Sequence, residues 1–265
     1  NDINADILRQ RRAGNPNGWR NVLPEMIGVS TWVGYDLDGR SDISWQDSFR
    51  LRLREKRDAL TAYHQSIMDS GLVASSDAMG DIARRLTEEL TRTKAHIQSF
   101  DKGDGDTEAY SGGVIVAMNA LTGASDRLIS SRALANEIHD IARSQADDEK
   151  ALAALVIAAD IATHGFGMGE VHLRINAAQI RNAMRPVDGR AISESANSAS
   201  DGVRSPRLLI DRLANRIRTE EAWAINFANL DSETATARRQ LMLATQILKH
   251  IDSDQPIRLL IAECE

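Results

Sequence analysis

The chain has 265 residues, 42% hydrophobic and only 4% aromatic, with a formal net charge of -6. That length supports one large domain or two ordinary ones. The acidic balance argues against a nucleic-acid surface, which needs clustered Lys and Arg, and no apolar run reaches the roughly 18–20 residues of a membrane span. A single cysteine, Cys264, excludes an internal disulfide and a cysteine-based zinc site, and it points to a reducing, cytoplasmic compartment.

In chain order, the first patterned stretch is a short strand from Met26 to Val33, where Ile27, Val29, Thr31 and Val33 alternate before an acidic turn at Asp38-Gly39. The spacing of Phe49, Leu53, Leu60, Tyr63 and Ile67 predicts a helix over Asp47–Ser70. Its basic residues Arg50, Arg52, Arg54, Lys56 and Arg57 point in several directions on a helix, so they read as a solvated, ion-paired face. Met79, Ile82, Leu86, Leu90 and Ile97 predict a second helix capped by Ser76 or Asp77. The polar run "DKGDGDTEAYSGG" then forms an internal break at 101–113. Further helices are expected over 114–121, 125–145 and the alanine-rich 147–163.

The pattern changes at "HGFGMGEVHLRIN". Its glycines end the preceding helix, and Val171, Leu173 and Ile175 then alternate with His172, Arg174 and Asn176 as the two faces of a strand do. The small polar residues of 191–205 predict a mobile loop. Helices over 206–219 and 233–251 follow, and a strand over Ile257–Ala262 closes the pattern. Strands so far apart in a helical sequence do not make hairpins; parallel pairing in a larger sheet or barrel is their natural use. The expected fold is therefore mostly α with a few short parallel strands, a single segment over 1–265. The chain starts at Asn1 and stops just after an apolar strand, which leads us to expect a piece of a longer protein.

Few motifs carry chemistry by themselves. The acids of "DKGDGDTE" and "DLDGR" miss the spacing of a calcium loop, so no metal site is assigned. "GFGMG" has helix before it and strand after it, the reverse of a dinucleotide-binding glycine run. The histidines form no metal-ligating spacing. His172 and Arg174 stand apart because one face of one strand presents both, so they could line a cavity; a structural pair is the other reading.

Three stretches, in order, resemble one family. "WVGYDLDGRSD" is similar to the W-M-G-G-D-R-D-G-N-P segment of phosphoenolpyruvate carboxylases, matching at Trp32, Gly34, Asp36, Asp38 and Gly39. "ADIATHGFGMGEVHLRIN" looks like the family's passage from F-G-L into L-D-I-R-Q-E, with Arg174 on the motif's arginine, and "RLLIAECE" is similar to a later strand. The resemblance implies a segment of a helix-rich, TIM-like α/β barrel with its site at the C-terminal ends of the strands. It implies a parent enzyme that joins bicarbonate to phosphoenolpyruvate, giving oxaloacetate and phosphate with Mg2+ or Mn2+, and that pairs with further copies of itself.

Carried onto this chain, the resemblance makes Arg40 and Arg174 the anion-binding catalytic pair, with Asp36, Asp38, Gly39 and His172 lining the substrate site. The chain departs from the pattern at Leu37, where the family has a phosphate-contacting arginine, at Arg40-Ser41 in place of N-P, and at His172 in place of an aspartate. It has no His-Pro dipeptide, no R-G-G loop and no acidic metal segment. The segment alone is expected to be catalytically silent, to bind no metal and to need the remainder of the parent chain. The reading from another class is a non-catalytic helical interaction module that keeps the family's scaffold.

Overall fold

A computed structural model describes residues 2–24, 28–38, 43, 45–101, 127–167, 169–177 and 250–262. It contains helices α1 (Asp2–Gly14), α2 (Trp45–Asp69), α3 (Asp77–Asp101), α4 (Ser131–Ser144) and α5 (Asp148–His164), and strands β1 (Ser30–Thr31), β2 (Glu170–Asn176) and β3 (Ile257–Ala262). The fold is mostly helical with a small parallel sheet of order β1-β2-β3. The expected internal break, the mobile loop and the helices over 114–121, 206–219 and 233–251 lie outside the described residues, apart from Asp101 and the last turn at His250.

The described residues of Asn1–Thr31, Arg50–Val171 and Leu248–Pro256 form one compact unit, and those of Trp32–Phe49, His172–Ile247 and Ile257–Glu265 form another. The first unit is a helical assembly. Leu60, Tyr63 and Ile67 of α2 join Met79, Ile82 and Leu86 of α3, Leu134 and Ile138 of α4, and Leu152, Leu155 and Ile161 of α5 in one buried cluster. α5 is alanine-rich, and its small side chains let α1 and α4 pack closely against it.

Side-chain caps set the starts of these helices. Ser76 Oγ accepts from the Met79 amide, Ser130 Oγ from Ala133, and Asp147 Oδ1 from Glu149. The Ser130 cap corrects the expected 125–145 helix: α4 begins later, after a non-helical segment in which Arg127 donates to the His250 carbonyl and the Leu128 carbonyl accepts from Lys56. α1 carried no sequence signal we recognised. Behind it Trp19, 2% exposed, lies between the guanidinium groups of Arg12 and Arg20 at 5.8 and 5.4 Å from its ring centroid.

The basic cluster of α2 is not the solvated face its sequence predicts. Arg57 is paired with Asp58 at the surface, but Arg52 and Lys56 are fully buried. Both fall on the apolar stripe between Phe49 and Leu60, where the pitch of the helix turns them inward. Arg52 donates there to Glu55 at 2.9 Å and to the carbonyl of Gly169 at 3.2 Å, while its buried Nε finds no hydrogen-bond partner among the described residues.

In the first unit β1 is shorter than the expected strand: only Ser30 and Thr31 pair, with Glu170 and Val171 of β2. The chain then turns at Trp32–Tyr35, where the Tyr35 amide bonds the Trp32 carbonyl at 3.0 Å and Gly34 takes the positive φ (80°) that such a turn requires. Parallel pairing resumes at Asp36 and Arg174.

Candidate functional site

The turn sets which side chains face which way. After it, Tyr35 and Leu37 are buried at 0% and 1% exposure while Asp36 and Asp38 alternate with them, so both aspartates fall on the opposite face. The backbone is fixed in that phase by the Leu37 amide on the Arg174 carbonyl (3.0 Å) and the Arg174 amide on the Tyr35 carbonyl (3.1 Å). β2 alternates in the same way: Val171, Leu173 and Ile175 are buried, and His172, Arg174 and Asn176 are half-buried. Asp36 and Arg174, 138 positions apart, meet on one face at 3.4 Å.

Around this pair lies a groove of about 460 Å³ lined by Trp32, His172, Arg174, Leu260, Ile261 and Ala262. His172 and Arg174 occupy the middle of β2 and Leu260–Ala262 end β3, with Trp32 beside them, all within the second unit. The Arg174 guanidinium lies 6.0 Å from the centroid of the Trp32 ring. Trp32 is 54% exposed and Leu260 44%, so two large apolar surfaces border the cation.

The electrostatics are specific. Arg174 keeps 39% of its side chain exposed, and a 3.4 Å contact is long for a charge-assisted bond, which normally runs about 2.7–2.9 Å. Asp36 Oδ1 and Asp38 Oδ1 are buried with no hydrogen-bond partner among the described residues. A carboxylate with a buried, unbonded oxygen is costly to keep. The arrangement can hold a small anion at Arg174, against an aromatic face, with a carboxylate behind the guanidinium to orient it.

Of the residues singled out from the sequence, Asp36, Asp38, His172 and Arg174 fall on one face of the sheet, and Gly39 and Arg40 lie outside the described residues. Leu37 is in the core and cannot be a surface stand-in for a ligand-binding residue. Trp32 and the end of β3 were matched to motifs but given no role by sequence reasoning. An exposed tryptophan flanking a strand end was the available signal for them. No group of three or more His, Cys, Asp or Glu that could hold a metal ion occurs among the described residues, and no described helix is long and apolar enough to cross a membrane. No family model, curated protein or solved structure significantly matches the chain.

Proposed function

We propose that the chain is the anion-binding part of the barrel of a phosphoenolpyruvate carboxylase or a close relative, and that Arg174 receives the carboxylate or phosphate of phosphoenolpyruvate. One observation carries this reading. The three stretches that resemble the family, separated by long helical sequence, converge on a single groove through Trp32, Arg174 and Leu260–Ala262. A groove at strand ends with a cation against an aromatic wall suits a small, conjugated anion.

In that role Arg174 neutralises charge that grows on the substrate oxygens as carbon–oxygen and carbon–carbon bonds rearrange. Asp36 fixes the guanidinium plane, Trp32 shields one side from water, and His172 adds a group able to donate or accept a hydrogen bond. Arg40, three positions beyond Leu37, is proposed as the second cation because the family's arginine position is occupied by a buried leucine. The divalent cation that the resemblance brings has no acidic segment to bind it in this sequence, so it would be held by the remainder of a longer parent protein.

The Asp36 contact favours a second reading. A cation already paired is what a non-catalytic helical interaction module would retain, its arginine serving only to join β2 to the turn. The deciding experiment is oxaloacetate formation from phosphoenolpyruvate and bicarbonate with Mg2+, using the protein of the full reading frame and its Arg174→Gln variant. Turnover that falls by about a hundredfold or more in the variant is expected. A folded full-length protein without turnover, or a variant with unchanged rate and KM, overturns the enzyme reading and leaves the module.

A further inference from the structure

Aromatic residues make up only 4% of the chain, yet one of its four tryptophans, Trp32, is 54% exposed. Its place in the turn explains this: the Tyr35 amide bonds the Trp32 carbonyl, and Trp32 falls between Thr31 and Asp36, where pairing to β2 is interrupted. Leu260 alternates in phase with Arg258 on the more exposed side of β3 and is 44% exposed. Five large hydrophobic side chains are exposed among the described residues, and these two line one groove together with Arg174. Exposed apolar side chains scattered singly need no explanation, but two that converge from distant sequence on one concavity mark a binding surface.

Among the described residues that line this groove, Arg174 alone carries a permanent charge, and Ile261 and Ala262 add apolar surface. Asp36 reaches the guanidinium at 3.4 Å and leaves 39% of the arginine side chain exposed. The fork of donors on a guanidinium can serve two acceptors at once, so an arriving carboxylate does not have to displace Asp36. At 6.0 Å from the ring centroid, the guanidinium stands at the outer limit of a cation–π contact and does not cover the indole face. The groove, about 460 Å³, falls in the size range of small-molecule sites, roughly 300–1,000 Å³. A three-carbon anion at Arg174 would leave much of the Trp32 and Leu260 surface to water.

We propose that the groove binds an aromatic carboxylate, its carboxylate on Arg174 and its flat ring against the Trp32 indole and Leu260. The proposal rests on the reading above only in seating an anion at Arg174; the ring is what it adds. A ring stacked on an indole gains an interaction beyond the burial of its area, which an aliphatic tail lacks.

Ligand-observed NMR titrations of the protein with benzoate, acetate and neutral benzamide separate the two parts of the site. Benzoate is expected to bind about tenfold or more tightly than either of the others. Trp32→Ala should reduce benzoate to the level of acetate, and Arg174→Gln should reduce it to the level of benzamide. Equal binding of benzoate and acetate, both lost in Arg174→Gln, overturns the aromatic proposal and leaves the anion at Arg174 standing. Absence of any Arg174-dependent binding overturns both. A benzoate preference that survives in Trp32→Ala puts the ring elsewhere and likewise overturns the proposal. Should Trp32→Ala fail to fold, Leu260→Ser carries the same expectation and decides in its place.

Discussion

Leu37 shows how a single residue separates resemblance from structure. Aligned by motif, it stands where the family carries an arginine, and restoring that arginine looks like a gain of substrate binding. Its side chain, however, is 1% exposed and faces away from Asp36 and Arg174. Leu37→Arg would place a charge in the core with no partner, so we expect a loss of about 3–5 kcal/mol in urea denaturation and no improvement in phosphoenolpyruvate binding. Retained stability would mean that the strand can turn Leu37 outward. His172 and Arg174 were legible from alternation alone, because a period of two assigns faces without knowledge of any neighbour. Arg52 and Lys56 were misread. Their spacing puts them on the buried stripe, but charge alone suggests solvent, and Glu89 beside Lys56 and the carbonyls of Gly169 and Leu128 that accept from them come from distant sequence.

Among the elements, long periodic helices were the most legible: α5 begins one residue after its Asp147 cap and α3 directly after Ser76. The short strand β1 was overextended because alternation continues through Trp32 and Val33, whereas Gly34 permits a turn there. Where β1 meets β2, backbone proximity matters more than side chains. Gly169 has φ of 87°, and a Cβ there would lie 2.2 Å from the Val29 carbonyl oxygen, which accepts the Glu170 amide at 2.9 Å. Gly169→Ala is expected to cost at least about 2 kcal/mol and to expose the Glu170 amide to hydrogen exchange. Wild-type protection in that variant would show that the close approach relaxes without harm. No local pattern announces such a contact, since it depends on two segments 140 positions apart in register.

For the whole molecule, buried titratable groups dictate how stability varies with pH. Burial, reinforced by Arg127, pushes His96 down to about 4 from 6.5. The unfolded chain therefore takes up this proton first, and stability present above pH 6.5 is lost as pH falls toward 4. Lys56, lowered to about 8 from 10.5, works in the same direction over another window: the unfolded chain keeps its proton longer, so its contribution rises from pH 8 to 10.5. Tyr63, raised by burial and hydrogen-bonded to the Gly165 carbonyl at 2.6 Å, opposes this above pH 10, where the unfolded phenol ionises first. Thermal unfolding across pH should show Tm climbing between about 4 and 6.5, and Lys56→Met should remove the alkaline rise. A flat profile through both windows would mean that these groups reach water in the folded protein.

The turn that leaves Trp32 54% exposed beside Arg174 also gives the groove an optical voice. Trp19, 2% exposed, is shielded from collisional quenchers, whereas an anionic quencher such as iodide is drawn toward Trp32 by the neighbouring guanidinium. An anion seated at Arg174 would displace iodide and cover the indole at the same time, so occupancy of the groove can be followed without a label in the part of the emission that a Trp32→Phe variant, which keeps the protein's other three tryptophans, lacks.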